Sequence, residues 1–111
     1  MGDTEDIDRK VSNDIKRKVQ CEAIKQTYLA RGRDSLPDSF LIYSRDDELV
    51  YYFVENNRCH YRALVHDSIL GTIDWVTYLN TFCHYLVNGS IVFVYGVLHP
   101  SHESFIGSKR V

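Results

Sequence analysis

The chain has 111 residues, 44% of them hydrophobic and 25% charged, with a formal net charge of −2 and three cysteines. That length suits one domain with one core, and the apolar fraction is too high and the net charge too small for a disordered chain. The longest apolar run, residues 91–98 broken only by Gly96, falls far short of the roughly 18 residues that suggest a membrane span, and the first 30 residues are too charged for a signal peptide.

Three cysteines without close pairs point away from a disulfide framework and toward a reducing intracellular compartment, cytoplasm or nucleus. Divided along the chain, the charge is uneven: residues 1–33 carry +2, residues 34–69 carry −4, and residues 70–111 are neutral and almost uncharged. Between residues 70 and 98 the only ionised carboxylate or ammonium group is Asp74. A surface folded alone in water normally carries more charge than that.

In chain order, residues 4–31 read as a long polar helix, capped by Asp3 or Thr4 and ended by Gly32. Asp6 with Lys10 and Asp14 with Lys18 stand at i, i+4 in the favourable acid-first order. Ile7, Val11, Ile15 and Val19 recur every four positions, a stripe that slants around a 3.6-residue helix. Cys21, Ile24, Tyr28 and Leu29 form a second stripe on another side, so the helix touches two surfaces or bends near Val19.

Three strand-like segments follow, at residues 40–44, 49–55 and 59–66, rich in aromatic and β-branched residues. Arg45, Asp46, Asp47 and Glu48 suit the first turn, and Asn56 and Asn57, which tolerate positive φ, suit the second. An antiparallel meander is the economical reading. The third segment alternates in the period-two manner of a strand with one wetter face, whereas the first two are apolar on both faces. Residues 73–88 then predict an amphipathic helix with Thr72 as N-cap. Its apolar arc runs through Trp75, Val76, Tyr78, Leu79, Phe82, Cys83, Tyr85, Leu86 and Val87, opposite a polar arc of Asp74, Thr77, Asn80, Thr81, His84 and Asn88. Residues 91–98 predict a central strand, apolar on both faces, and residues 101–111 a loose tail. The fold class is α+β, a mainly antiparallel four-stranded sheet in the order α-β-β-β-α-β, with residues 39–98 holding the sheet and second helix of a single domain.

Thiolates and imidazoles are the usual structural zinc ligands, but each of Cys59-His60 and Cys83-His84 can offer only one ligand, because adjacent residues point apart. No metal site or cofactor is expected, and Cys83 reads as a small core residue. A nucleophilic enzyme needs a base beside its Cys or Ser. Cys59 with His66, or His84 with Asp74, can be named, but neither has a motif around it, so no catalytic residue is assigned.

What remains is a surplus of apolar strand surface. Two helices cover one face of a four-stranded sheet, yet three of the strands are apolar on both faces; either the long first helix covers the second face, or another chain does. The expectation is a non-catalytic protein-interaction module of the adaptor or inhibitor type. It is homodimeric and has no membrane partner, since symmetric dimers are the commonest oligomers and aromatic residues are enriched in interface cores. Tyr51, Phe53 and Tyr61 are the contact residues expected on the sheet, with Trp75 as an anchor and Asn80 and His84 as polar contacts. The alternative partner is nucleic acid, stacked on the sheet aromatics and held by Lys16, Arg17, Lys18, Arg45, Arg58 and Arg62; the −4 of the strand section opposes it.

Overall fold

The computed structural model describes residues 2–65, 70–107 and 109, with side chains from residue 11 onward. The architecture is α+β: among the described residues there are three α-helices and one antiparallel sheet. Helix α1 spans Gly2–Arg31, starting before Asp3 and Thr4, so neither residue is its cap. It ends where Gly32 takes a φ of 94° and donates its N–H to the Tyr28 carbonyl at 2.9 Å. A 3₁₀ turn at Arg33–Ser35 leads into β1, Ser39–Tyr43. Strand β2 is Leu49–Glu55 and β3 is Arg58–Ala63. Both turns follow the sequence reading: Ser44 and Glu48 close the first, with Asp47 at positive φ, and Asn56 and Asn57 both adopt positive φ in the second.

The described residues form five strands rather than four. Gly71–Ile73 forms β4, a short edge strand paired with β3 through Cys59↔Ile73, His60↔Thr72 and Tyr61↔Gly71. Thr72 therefore belongs to a ladder, and Asp74 caps the second helix instead. Its carboxylate accepts the Thr77 N–H at 2.7 Å, which holds its pKa below the usual carboxylate value. Helix α2 is Trp75–Val87 and β5 is Ile91–Tyr95. The sheet order is β4-β3-β2-β1-β5, antiparallel at every pairing, with a bulge in β5 opposite Leu41 and Ile42.

The expected loose tail is folded over residues 100–107. Pro100–His102 makes a 3₁₀ turn and Glu103–Ile106 a short helix, α3. Ile106 joins the core, and the Lys109 carbonyl accepts the N–H of Val94 at the edge of β5. Apolar Phe105 and Ile106 at adjacent positions supply the docking surface.

All three helices lie on one face of the sheet, and the core sits between. Ile24 and Tyr28 from α1, Tyr78, Leu79, Phe82, Cys83 and Leu86 from α2, and Ile106 from α3 pack on Phe40, Ile42, Cys59, Ile91 and Val94. Phe40 stands at its centre, with ring contacts to Tyr52, Tyr78 and Phe82 at 5.0, 5.1 and 5.2 Å. The buried Tyr78 hydroxyl donates to the Pro37 carbonyl at 2.9 Å, satisfying both groups.

Candidate protein-interaction face

Alternation sorts the strand residues into two faces. On the helix-covered face, Phe40, Tyr52 and Tyr61 stand in one ladder row, with Tyr52 stacked on Phe40 and Tyr61 stacked 5.7 Å from Tyr52. Burial pushes the Tyr52 phenol up to about 12. The other face carries Leu41, Tyr51 and Arg62 in one row, Ser39, Phe53, His60 and Thr72 in the next, and Glu55 beside Arg58 in the last, with Phe93 of β5 beside Leu41. Among the described residues no helix lies over this second face. The long first helix does not cover it, because α1 packs beside α2 on the opposite side.

The open face has a defined centre. The Tyr51 and Phe53 rings stack at 5.3 Å, and His60 sits 5.4 Å from Phe53. The Arg62 guanidinium lies across both rings, 5.7 Å from the Tyr51 centroid and 6.0 Å from that of Phe53. Such contacts are worth about 0.5–1 kcal/mol each at exposed sites. Arg62 Nε is buried and has no hydrogen-bond acceptor among the described residues. A buried donor left unpaired costs about 1–3 kcal/mol. His60 Nδ1 is 3.0 Å from the Thr72 hydroxyl, which fixes that ring at the flank of the patch. Leu41, only 7% exposed, is roofed by its neighbours.

The residues singled out from the sequence are thus dispersed. Tyr51 and Phe53 share the open face, but Tyr61 is one residue out of phase and points into the helix-covered side. Trp75 opens α2 and packs half-buried against the core, while Asn80 and His84 are exposed on the solvent side of α2, a layer away from the open face. The basic residues also divide. Arg58 and Arg62 belong to the open face, Arg45 lies exposed in the β1–β2 turn, and Lys16, Arg17 and Lys18 lie on α1 in the other layer. Arg17 and Lys18 instead line a cleft of about 290 Å³ with Asp14, Cys21, His84, Val87 and Asn88. Leu41, Phe93 and the flanking Tyr95 are parts of the open face that sequence reading missed. The alternation of β1 and its pairing with β5 place them there, and pairing is not visible in a sequence.

Of the nucleophile pairs, His66 lies outside the described residues, and Asp74 and His84 occupy opposite ends of α2. Burial raises the Cys59 thiol and pushes Cys83 up to about 12, so both are poor thiolates. Among the described residues, no three His, Cys, Asp or Glu side chains gather to hold a metal ion, and no helix is long and apolar enough to cross a membrane. No protein-family model, curated protein or solved structure matches the chain.

Proposed function

We propose that this chain is a small, non-catalytic, intracellular protein-interaction module that forms a homodimer through the open face of its sheet. The observation that carries the reading is a five-stranded sheet with every described helix on one side and Leu41, Tyr51, Phe53 and Phe93 on the other. Tyrosine and phenylalanine there combine large contact area with low rotamer entropy, as interface anchors do. Light scattering after gel filtration tests it: wild type is expected to elute as a dimer at high micromolar concentration, and Phe53→Ser with Tyr51→Ser as a folded monomer. A monomeric wild type at that concentration would sink the proposal.

One observation favours a second reading. The stacked Tyr51–Phe53 pair under Arg62, with Arg58 on the same face, is a surface on which nucleobases could stack. Titration of single-stranded RNA and DNA across a salt series separates the readings, since phosphate contacts weaken steeply with salt.

A further inference from the structure

We propose that Cys21 of α1 and Cys83 of α2 are a modification site, an oxidisable pair at which hydrogen peroxide closes an intrachain disulfide that staples the long helix to the body of the molecule. The two residues meet because of where each stripe points. Cys21 stands three and seven residues before Ile24 and Tyr28, on the stripe of α1 that enters the core. It is also the first residue after the exposed stretch 11–20 to be partly covered. Cys83 lies in the buried arc of α2, between Leu79 and Leu86. Across the seam the Cys83 thiol donates a hydrogen bond to the Cys21 sulfur. Cys21 also shares a cleft with His84 and Val87, one and four places beyond Cys83. All three cysteines are free thiols, and the third, Cys59, is buried on β3 with Arg33 as its hydrogen-bond partner, outside the pair.

Exposure divides the roles. Cys21 opens on the cleft of about 290 Å³ that Asp14, Arg17, Lys18 and Asn88 also line, whereas Cys83 is fully buried. The thiolate is the nucleophile. Burial, and Glu22 after it, hold Cys21 above the ordinary thiol value, while the hydrogen bond from Cys83 and the Lys25 ammonium group pull it down. Burial pushes Cys83 up to about 12. Cys21 is therefore the attacking group, and the reaction is slow. Its thiolate attacks one peroxide oxygen and the O–O bond breaks; the departing hydroxide takes up the proton that the thiol gave to water, leaving a sulfenic acid on Cys21. Cys83 then attacks the Cys21 sulfur, the S–O bond breaks, and the hydroxyl leaves with the Cys83 proton as a second water. The two thiols lose two electrons and the peroxide gains them. The ring so closed holds β1 to β4 between its ends, which constrains the unfolded chain, and pins α1 at the point where it leaves the body.

The test uses the native wild-type chain, incubated with excess hydrogen peroxide, quenched with catalase, alkylated in denaturant and read by intact mass. The expected product is a single chain lighter by two hydrogen atoms that takes up one alkyl group instead of three. Trypsin cuts after Lys18, Lys25, Arg58 and Arg62, which puts the three cysteines on separate peptides. Peptide 19–25 should then be found joined to the one that carries Cys83, and dithiothreitol should part them. The oxidised chain should melt about 5 °C or more above the reduced one and return to the lower Tm on reduction. Cys59→Ser should behave as wild type, and Cys21→Ser should keep both remaining thiols open to alkylation. Three alkylated thiols after oxidation, a sulfinic acid on an unlinked Cys21, a link to Cys59 or between two chains, or an oxidised chain whose Tm does not rise would each overturn the proposal.

Discussion

Tyr28 shows how much one side chain organises. Its ring is fully buried and packs edge-on to Phe82 at 5.9 Å. Its hydroxyl accepts the His99 N–H at 3.3 Å and lies 3.2 Å from His102 Nδ1. A hydroxyl already accepting from His99 has its own proton to give, so the arrangement fits a neutral His102 that accepts it at Nδ1. Protonation would turn Nδ1 into a donor and take away the acceptor of the Tyr28 proton, at a site only 6% exposed. Burial, with His99 nearby, accordingly holds the His102 pKa below its ordinary 6.5. The unfolded chain then binds the proton first, so His102 contributes stability above about pH 6.5 that is lost as pH falls through its folded value. Urea unfolding of wild type should show stability falling from pH 7.5 to 5, with a shallower fall in His102→Gln; equal slopes would refute this. Tyr28→Phe should cost about 1–2 kcal/mol at pH 7.5, because the His99 N–H and His102 Nδ1 lose their shared partner.

At the scale of elements, α3 separates a folded C-terminal segment from a loose one. Ile106 is buried in the core and Phe105 packs against it, so Ile106→Ala should lower unfolding free energy by about 2–4 kcal/mol in denaturant titration. A tail merely trailing in solvent would give no change. The sequence misleads here because a four-residue helix has too few turns for a periodic signal, and Ser101, Gly107 and Ser108 resemble linker composition. Edge strand β4 was hidden for a similar reason: Gly-Thr-Ile is too short to show alternation. A Cβ at Gly71 would stand 2.7 Å from the Tyr61 ring, so a larger residue there has to push that ring aside. Where periodicity is long it was legible. Helix α2 buries Tyr78, Leu79, Phe82, Cys83 and Leu86 from the predicted arc, and the Asn56-Asn57 turn takes the predicted positive φ. The candidate face was only half legible. Alternation within β2 puts Tyr51 and Phe53 together, but the phase between β2 and β3, which sends Tyr61 to the other side, is set by the turn and cannot be counted from residues alone.

Over the whole molecule the two stripes of α1 resolve into two different environments. The second, with Ile24 and Tyr28, enters the core. The first does not: Val11, Ile15 and Val19 are 52%, 57% and 64% exposed. Taking 3.6 residues per turn, Val19 lies about 140° around the helix from Ile24 and about 180° from Tyr28. The helix cannot turn that ridge inward without lifting Tyr28 out; its 30 residues run about 45 Å, and the molecule measures 54 Å on its longest axis against 26 Å on its shortest. Every residue from 11 to 20 is exposed, so the folded body should not need the chain before residue 14. Deleting residues 1–13 is expected to leave the unfolding free energy within about 0.5 kcal/mol of the full chain, as for surface changes away from the core. The same deletion discriminates between the two apolar surfaces of the molecule. The ridge Val11–Ile15–Val19 loses its first member while the sheet face keeps all of its residues, so the truncated chain should dimerise as tightly as the full one in sedimentation. A truncated chain that stays folded but becomes monomeric would move self-association from the sheet to the helix.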